Sequence, residues 1–251
     1  MVEGQTGRQT LLLRRDAPAR HALVFQPVNA VRARRAAALI GLPVWISLRR
    51  TRPVSEHWGF DRGTPVDRFY FDDFLEQHCG DIRGDVLEVK SAYCTRRFGR
   101  AVRAEHVLDS DPDSPGVTVV ADLNEPGSLP AGAYDCFLLM QTLQLIRFPE
   151  VALANAWSAL RSGGTLLLTV PAASRVERSY GDYWRFTAAG VEELLARNCP
   201  EARSDVRSYG NVLACTAFLL GLAAQELRAD RLRDHDPNVP LVVCARAAKP
   251  G

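Results

Sequence analysis

The feature that most restricts what this chain can become is a series of short, nearly uninterrupted apolar runs. They are DVLEVK (85–90), AEHVLD (104–109), VTVVAD (117–122), YDCFLLM (134–140) and TLLLTV (165–170), set apart by helical or loop segments. A strand with water on one face alternates apolar and polar residues, whereas a run apolar at almost every position is covered on both faces, as in a parallel sheet clad by helices. The spacing therefore predicts a Rossmann-like, doubly wound α/β fold with a mostly parallel sheet. DVRSYG (205–210) and PLVVCARAA (240–248) bring the expected strands to seven.

Helices are predicted over 66–78, 149–160, 187–198 and 212–227, with a turn at Arg161-Ser162-Gly163-Gly164. In the first, the 3.6-residue period gathers Val66, Phe69, Tyr70, Phe74 and Leu75 on a buried face with the acids opposite, and Gly80 follows as a stop signal. Thr187 is placed to cap the third helix.

At 251 residues the chain suits one α/β domain with additions. The additions are at the start, where ten arginines face only Glu3 and Asp16 up to Arg52. We read residues 1–55 as a basic N-terminal extension, helix-compatible over 29–41 with a stop at Leu42-Pro43, and 56–251 as the α/β domain. A net charge of +2 gives the whole molecule no strong pull toward nucleic acid or membrane, and with only Lys90 and Lys249 as lysines the arginine excess reads mainly as genome composition. Six cysteines without CxxC spacing read as reduced thiols. The apolar stretch from Ala36 to Leu48 is broken by Pro43 and falls short of the ~20 residues of a membrane span. No signal-peptide pattern is seen, so the cytoplasm is the expected compartment.

In an open parallel sheet, ligands bind beyond the carboxyl ends of the strands, near the point where strand order reverses. The residues to question are thus 88–94, 109–111, 122–124, 141–144 and those from Pro171 onward, where polar side chains cluster. A phosphate-binding GxxxxGK[ST] loop, zinc-ligand spacing and a GxSxG elbow are all missing, and no metal is expected.

These segments, VLEVKSAYCTRRFG (86–99), VVADLNE (119–125), YDCFLLMQTLQLI (134–146), LRSGGTLLLTVP (160–171) and GDYWRFTAAGVEELL (181–195), resemble in order the class I S-adenosylmethionine-dependent methyltransferases. The resemblance covers roughly 60–248; RGTPVDRFY (62–70), TRRFG and YWRF look more narrowly like a bacterial branch associated with glycan or secondary-metabolite biosynthesis. It implies S-adenosylmethionine as cofactor, an acid at Glu88 closing the first strand, Asp122 accepting the adenine amino hydrogen with Leu123 behind the ring, and Gln141 lining the methionine end. The ribose acid is Glu105, Asp109 or Asp111, with Asp109 favoured. The chain departs from the family at E-x-G-x-G-x-G, where Lys90, Ala92 and Cys94 replace the glycines that let backbone approach the ligand.

No motif names the methyl acceptor or a base. Methyl transfer is an in-line displacement in which positioning supplies much of the rate, so a base is needed chiefly for a poorly ionised hydroxyl. His57 and His235 are the candidates, the first weighed evenly against a structural role, with Asp67, Asp234 and Asp236 behind them. His235 is read first as a surface-loop residue. Tyr183 and Trp184 can stack on an acceptor while Arg185 holds an anionic group, or Trp184 and Phe186 can pin the next helix; both readings stay open. Asp67, Arg68 and Tyr70 are expected polar contacts from the amino-terminal side, against ordinary helix amphipathicity.

The leading expectation is O-methylation of a sugar or natural-product intermediate. Lys90 motivates an alternative, an enzyme of methyltransferase fold that catalyses a cyclisation, rearrangement or elimination, with Lys90 catalytic. The arginine-rich start motivates a third, a non-enzymatic partner protein, testable by deleting residues 1–52. The expected partner is a small-molecule substrate, with the oligomeric state open and a homodimer among the options.

Overall fold

A computed structural model describes residues 50–179 and 181–251. The basic extension up to Arg49, including the helix expected over 29–41, lies outside the described residues. The described elements run α1 (Val66–Gln77), β1 (Gly84–Val89), α2 (Tyr93–Phe98), β2 (Val102–Asp109), β3 (Val119–Val120), β4 (Tyr134–Met140), α3 (Pro149–Ala159), β5 (Leu160–Pro171), α4 (Ala188–Asn198), β6 (Arg203–Tyr209), α5 (Val212–Leu220), α6 (Ala229–Arg233) and β7 (Val242–Ala248). The strands form one seven-stranded sheet in the order β3-β2-β1-β4-β5-β7-β6. All neighbours are parallel except β7, which runs antiparallel to both β5 and β6. This is the mostly parallel, Rossmann-like sheet that the apolar runs predict, with strand order reversing between β1 and β4.

The alternation of side chains splits the core into two layers. Phe137 and Leu139 of β4, with Leu87, Leu166 and Leu168, face Leu153 and Trp157 of α3 and Val191 and Leu195 of α4. Cys136 and Leu138, with Val86 and Leu167, face Phe71, Phe74 and Leu75 of α1, Phe98 of α2 and Phe218 of α5. Strands apolar at every position are thus buried on both faces.

Three expectations need correction. In α1 the buried set is Val66, Asp67, Tyr70, Phe71, Phe74 and Leu75. Phe71 replaces Phe69, and one acid lies inside. Arg161–Gly164 is a bulge within β5, where pairing jumps from Tyr134↔Leu160 to Cys136↔Thr165 and Gly163 takes φ 76°. The bulge carries Arg161 to Asp135 and Asp85, with bonds of 2.7 and 2.9 Å that tie the amino ends of β1, β4 and β5. Finally, α5 ends at Gly221 in the left-handed conformation (φ 75°), well before the expected 227.

That stop has a positional consequence. The backbone N–H groups of Val54 and Ser55 donate to the Leu220 carbonyl, and a Cβ on Gly221 would lie 2.5 Å from the Ser55 carbonyl oxygen. The segment from Val54 to Gly63 is therefore packed on the domain, across the end of α5. Among the described residues no helix is long and apolar enough to cross a membrane, and the six cysteines are free thiols.

Candidate functional site

The carboxyl ends of β2, β1, β4 and β5 adjoin, so the loops after them form one edge. Glu88 is 3% exposed, and its carboxylate accepts from the backbone N–H of Cys94 (2.9 Å) and from the N–H and hydroxyl of Thr95 (both 2.8 Å). Burial raises its pKa, against these bonds. Both oxygens face the start of α2, so Glu88 shapes the loop in which the cofactor contact is expected. Ala92 caps α2 without a side-chain bond, and Cys94 is buried with its thiol pKa pushed well up, which makes it a poor nucleophile.

Lys90 carries the loop's main anomaly. Its φ is 72°, the left-handed region where glycine is at home, and its backbone N–H still donates to the Leu108 carbonyl at 2.9 Å. The backbone therefore turns as the glycine loop would, with a side chain added. That side chain crosses to β2, where Nζ donates to Asp109 Oδ2 at 2.8 Å. Asp109 is 3% exposed; burial opposes its ionisation, but the bonds from Lys90, Ser114 and Asp111 outweigh it and hold the carboxyl below its usual range. Of the three acids named for ribose, Asp109 is buried at the strand end. Glu105 sits mid-strand, bound to Arg96 at the surface, and Asp111 lends its backbone N–H to Asp109. Beside this pair Ser91 Oγ is shielded from solvent with no partner among the described residues.

After β3, Asp122 is exposed and accepts from the backbone and side-chain amide of Asn124 at 2.8 and 2.9 Å, while Leu123 is 4% exposed. After β4, Gln141 also takes positive φ (47°), with its backbone N–H donating to Thr169.

Next to Gln141 lies a pocket of about 90 Å³, bounded by Trp58, Phe60, Asp67, Arg68, Gln144, Arg175, Asp182 and Arg185 among others. Asp67 accepts from Arg68 Nη1 at 2.8 Å through Oδ2, while Oδ1 has no partner; burial raises its pKa, partly countered by Arg68. Asp182 is held below the usual carboxylate range by Arg185, whose two nitrogens donate to it at 2.5 and 2.9 Å. Arg175 donates from Nη1 to the Ser55 carbonyl at 3.0 Å and lies 4.8 Å from the centre of the Trp58 ring. Its Nε and Nη2 have no partner among the described residues, and burial lowers its pKa while Glu56, Asp61 and Glu177 oppose the shift. Gln144 Oε1 is likewise buried and unpartnered. A stripped polar group costs about 1–3 kcal/mol. Several around one small space make it the candidate site.

Of the expected residues, the fold brings Asp67, Arg68, Gln141 and Arg185 together here. The rest go elsewhere. His57 is exposed in the turn before Trp58, and His235 is exposed near Gly210, with Nδ1 3.3 Å from its carbonyl. Neither borders the pocket. Tyr70 is buried, its hydroxyl donating to the Leu232 carbonyl at 2.7 Å, so it ties α1 to α6. Tyr183 and Trp184 are 53% and 43% exposed, outside the pocket, and Trp184 Nε1 donates to the Ile146 carbonyl at 3.0 Å. Their backbone N–H groups both donate to the Gln144 carbonyl, while Phe186 enters the core. Phe186 packs in the core as the pinning reading has it, while Trp184 is tied to the Ile146 carbonyl outside the core. Arg175 and Gln144 were not singled out individually, although both fall in stretches that follow β5 and β4; Trp58 and Phe60 gave no signal, because their place is set by the contact at Gly221.

No family model matches the chain, and no curated protein sequence matches it. Solved structures do. An S-adenosylmethionine-dependent methyltransferase from Mesorhizobium loti is similar with a TM-score of 0.50 at 15% identity, over 73% of this chain and 100% of that one. The cyclase SpnF is similar with a TM-score of 0.50 at 14% identity, over 75% of this chain and 84% of that one. At such identities the likeness is one of fold, that of the class I methyltransferases.

Proposed function

We propose that this protein is an S-adenosylmethionine-dependent methyltransferase that O-methylates a small acceptor, a sugar or natural-product intermediate. The observation that carries the reading is Asp109, a buried carboxylate at the end of β2, one strand from a loop that keeps a glycine-like backbone turn. A buried acid there suits the paired hydroxyls of a ribose. Ser91 Oγ adds an unpartnered polar atom in the same loop, and Leu123 an apolar floor beside Asp122 for an adenine. Strands lie about 4.8 Å apart, so Asp109 and Gln141, two strands removed, are roughly 10 Å from one another across the sheet edge, a span suited to a ribose with its methionine arm.

The residues fit the cofactor on one condition. Lys90 must leave Asp109, and its side chain is 48% exposed, so water is at hand to receive it. Exposed pairs of this kind are worth about 0–1 kcal/mol; the burial of Asp109 puts this one toward the upper end. When bound, the cofactor supplies the electrophilic methyl group. The chain's part is to hold the acceptor in line from the Asp67 side and to take its proton. Asp67 Oδ1 suits the task, being unpartnered, at the pocket wall and raised in pKa, hence a stronger base than an ordinary carboxylate. Asp67 thereby replaces His57 and His235 as the proposed base.

Calorimetric titration with S-adenosylmethionine and S-adenosylhomocysteine tests the reading. Saturable binding is expected, weakened about 10- to 100-fold in Asp109→Asn, in line with the ~1.5–3 kcal/mol of hydrogen bonds to a charged group. The absence of heat at millimolar ligand overturns it. The Lys90–Asp109 pair supports the second reading, a cyclisation, rearrangement or elimination without methyl transfer, with Lys90 catalytic. It is distinguished by Lys90→Gly: turnover lost with cofactor binding unchanged favours that reading, and a gain in cofactor affinity favours methyl transfer.

A further inference from the structure

Around the pocket beyond Gln141, the unpartnered atoms fall into two kinds. Arg175 offers Nε–H and Nη2–H, the two donors on one edge of the guanidinium, a fork that matches two oxygens of a planar carboxylate. Its third nitrogen is already anchored on the Ser55 carbonyl and its face lies 4.8 Å from the Trp58 ring centre, so the fork is held in one orientation. Asp67 Oδ1 and Gln144 Oε1 offer the opposite, acceptors that need a donor. We propose that the acceptor is a hydroxylated carboxylate, its carboxylate held side-on by Arg175 and its hydroxyl donating toward Asp67 and Gln144. This names the acceptor class for the site proposed above and rests on that reading only for the hydroxyl's methylation; the binding itself does not require the cofactor.

Charge selects among anions. Arg68 is paired with Asp67 and Arg185 with Asp182, whereas Arg175 has no carboxylate within ion-pair distance among the described residues. One further negative charge balances it. An inorganic phosphate dianion would bring two charges to a pocket already walled by Asp67, Glu177 and Asp182. At about 90 Å³, against the ~10–15 Å³ of the same measure that one water needs, the pocket has room for a small hydroxy acid. Arg175 Nε and Nη2 are shielded from solvent, so side chains lining the pocket must shift to admit the ligand while the bond from Arg175 to the Ser55 carbonyl holds.

The experiment is ligand-observed NMR titration of the full chain, without cofactor, using glycolate and D-glucuronate as probes, with glycolamide, acetate and inorganic phosphate as comparators. Glycolate or glucuronate is expected to bind saturably, at least tenfold more tightly than glycolamide, acetate or phosphate. Arg175→Lys, which keeps the charge and removes the fork, and Arg175→Gln should each weaken binding at least tenfold while their melting curves stay cooperative. If either variant fails to fold, Gln144→Leu supplies the reading: it should reduce the preference for glycolate over acetate and leave acetate unaffected. The proposal is overturned if neither hydroxy acid binds, if glycolamide or phosphate binds as well as glycolate, or if folded Arg175→Lys binds like the parent. Failure of cofactor binding in the calorimetric test would remove the methyltransferase reading and leave this one standing.

Discussion

Lys90 sets the first test at the scale of single residues. Its left-handed backbone costs about 1–3 kcal/mol for a residue with a side chain, and its ammonium occupies the carboxylate that a ribose would want. In Lys90→Gly the strain disappears, but glycine's greater freedom in the unfolded chain costs ~0.5–1 kcal/mol and an ion pair is lost, so stability should stay within about 1 kcal/mol of the parent. Cofactor affinity should rise about tenfold, measured by calorimetry; unchanged affinity would mean that Lys90 leaves Asp109 at no cost. Asp67→Asn is the second test. It keeps the shape and removes the proposed base, and a loss of about 10²–10⁴ in kcat with cofactor affinity unchanged is expected. Because burial raises the Asp67 pKa, the ionised form is lost at a higher pH than for an ordinary carboxylate; the parent's rate should rise with pH through that raised pKa and then level off, while a flat profile through the acid range removes Asp67 as the base. The sign for stability is opposite: the folded state favours the proton on Asp67, so this group stabilises the fold at low pH and the contribution fades as pH rises through the folded pKa. The sequence points to both residues, but not to the pairing of Lys90 with Asp109 or to the burial of Asp67. The period of α1 placed the acids outside, and only the fold shows Asp67 turned in beside Arg68.

At the scale of elements, two joints position the site, and each depends on one residue. Glu88 fixes the loop after β1 by accepting from both the backbone and the hydroxyl of α2's first turn. Gly221 fixes the segment carrying Trp58 and Phe60, since α5 can end against Ser55 only where no Cβ intervenes. Gly221→Ala combines a left-handed φ of 75° with a 2.5 Å approach to a carbonyl oxygen. Destabilisation of roughly 1–3 kcal/mol is expected by denaturant melts, with a weakened hold on pocket ligands because Trp58 loses its support. An unchanged melt would show that the joint is soft. The sequence announced most strands within one or two residues, because burial on both faces leaves an apolar run that no exposed segment would carry. It overran α5 because the Leu-Ala composition continues past Gly221, and only the contact with Ser55 shows which glycine is the stop. It read Gly163-Gly164 as a turn between elements because a bulge and a turn share the same residues, and pairing decides between them.

Across the whole molecule the two ends of the sheet differ in kind. The amino ends are locked by Arg103 and Arg161 on Asp85 and Asp135, which holds the Asp85 carboxyl down at about 2. At the carboxyl end the structure has instead kept strain and unpartnered groups. Of the five non-glycine residues with positive φ among the described residues, Trp58, Lys90 and Gln141 stand at this edge. The arrangement is that of a rigid base under a candidate site, and it was only half visible in sequence: apolar runs point to a covered, mostly parallel sheet, but not to its order, nor to β7 running against its neighbours, because β7 is buried on both faces and carries the same kind of run. A ligand that binds the folded state alone should then stabilise the whole domain. At a concentration one hundred times its Kd, S-adenosylhomocysteine contributes about 2.7 kcal/mol, and at ~2–4 °C per kcal/mol for a domain of this size the melting temperature should rise by roughly 5–10 °C. Glycolate at the same multiple of its own Kd should add a comparable increment when both are present, because Asp109 and Arg175 serve different ends of the site and distant contributions add. An increment that vanishes once S-adenosylhomocysteine is bound would place the two ligands in one berth, and Arg175 would then hold the cofactor's own carboxylate and not the acceptor's.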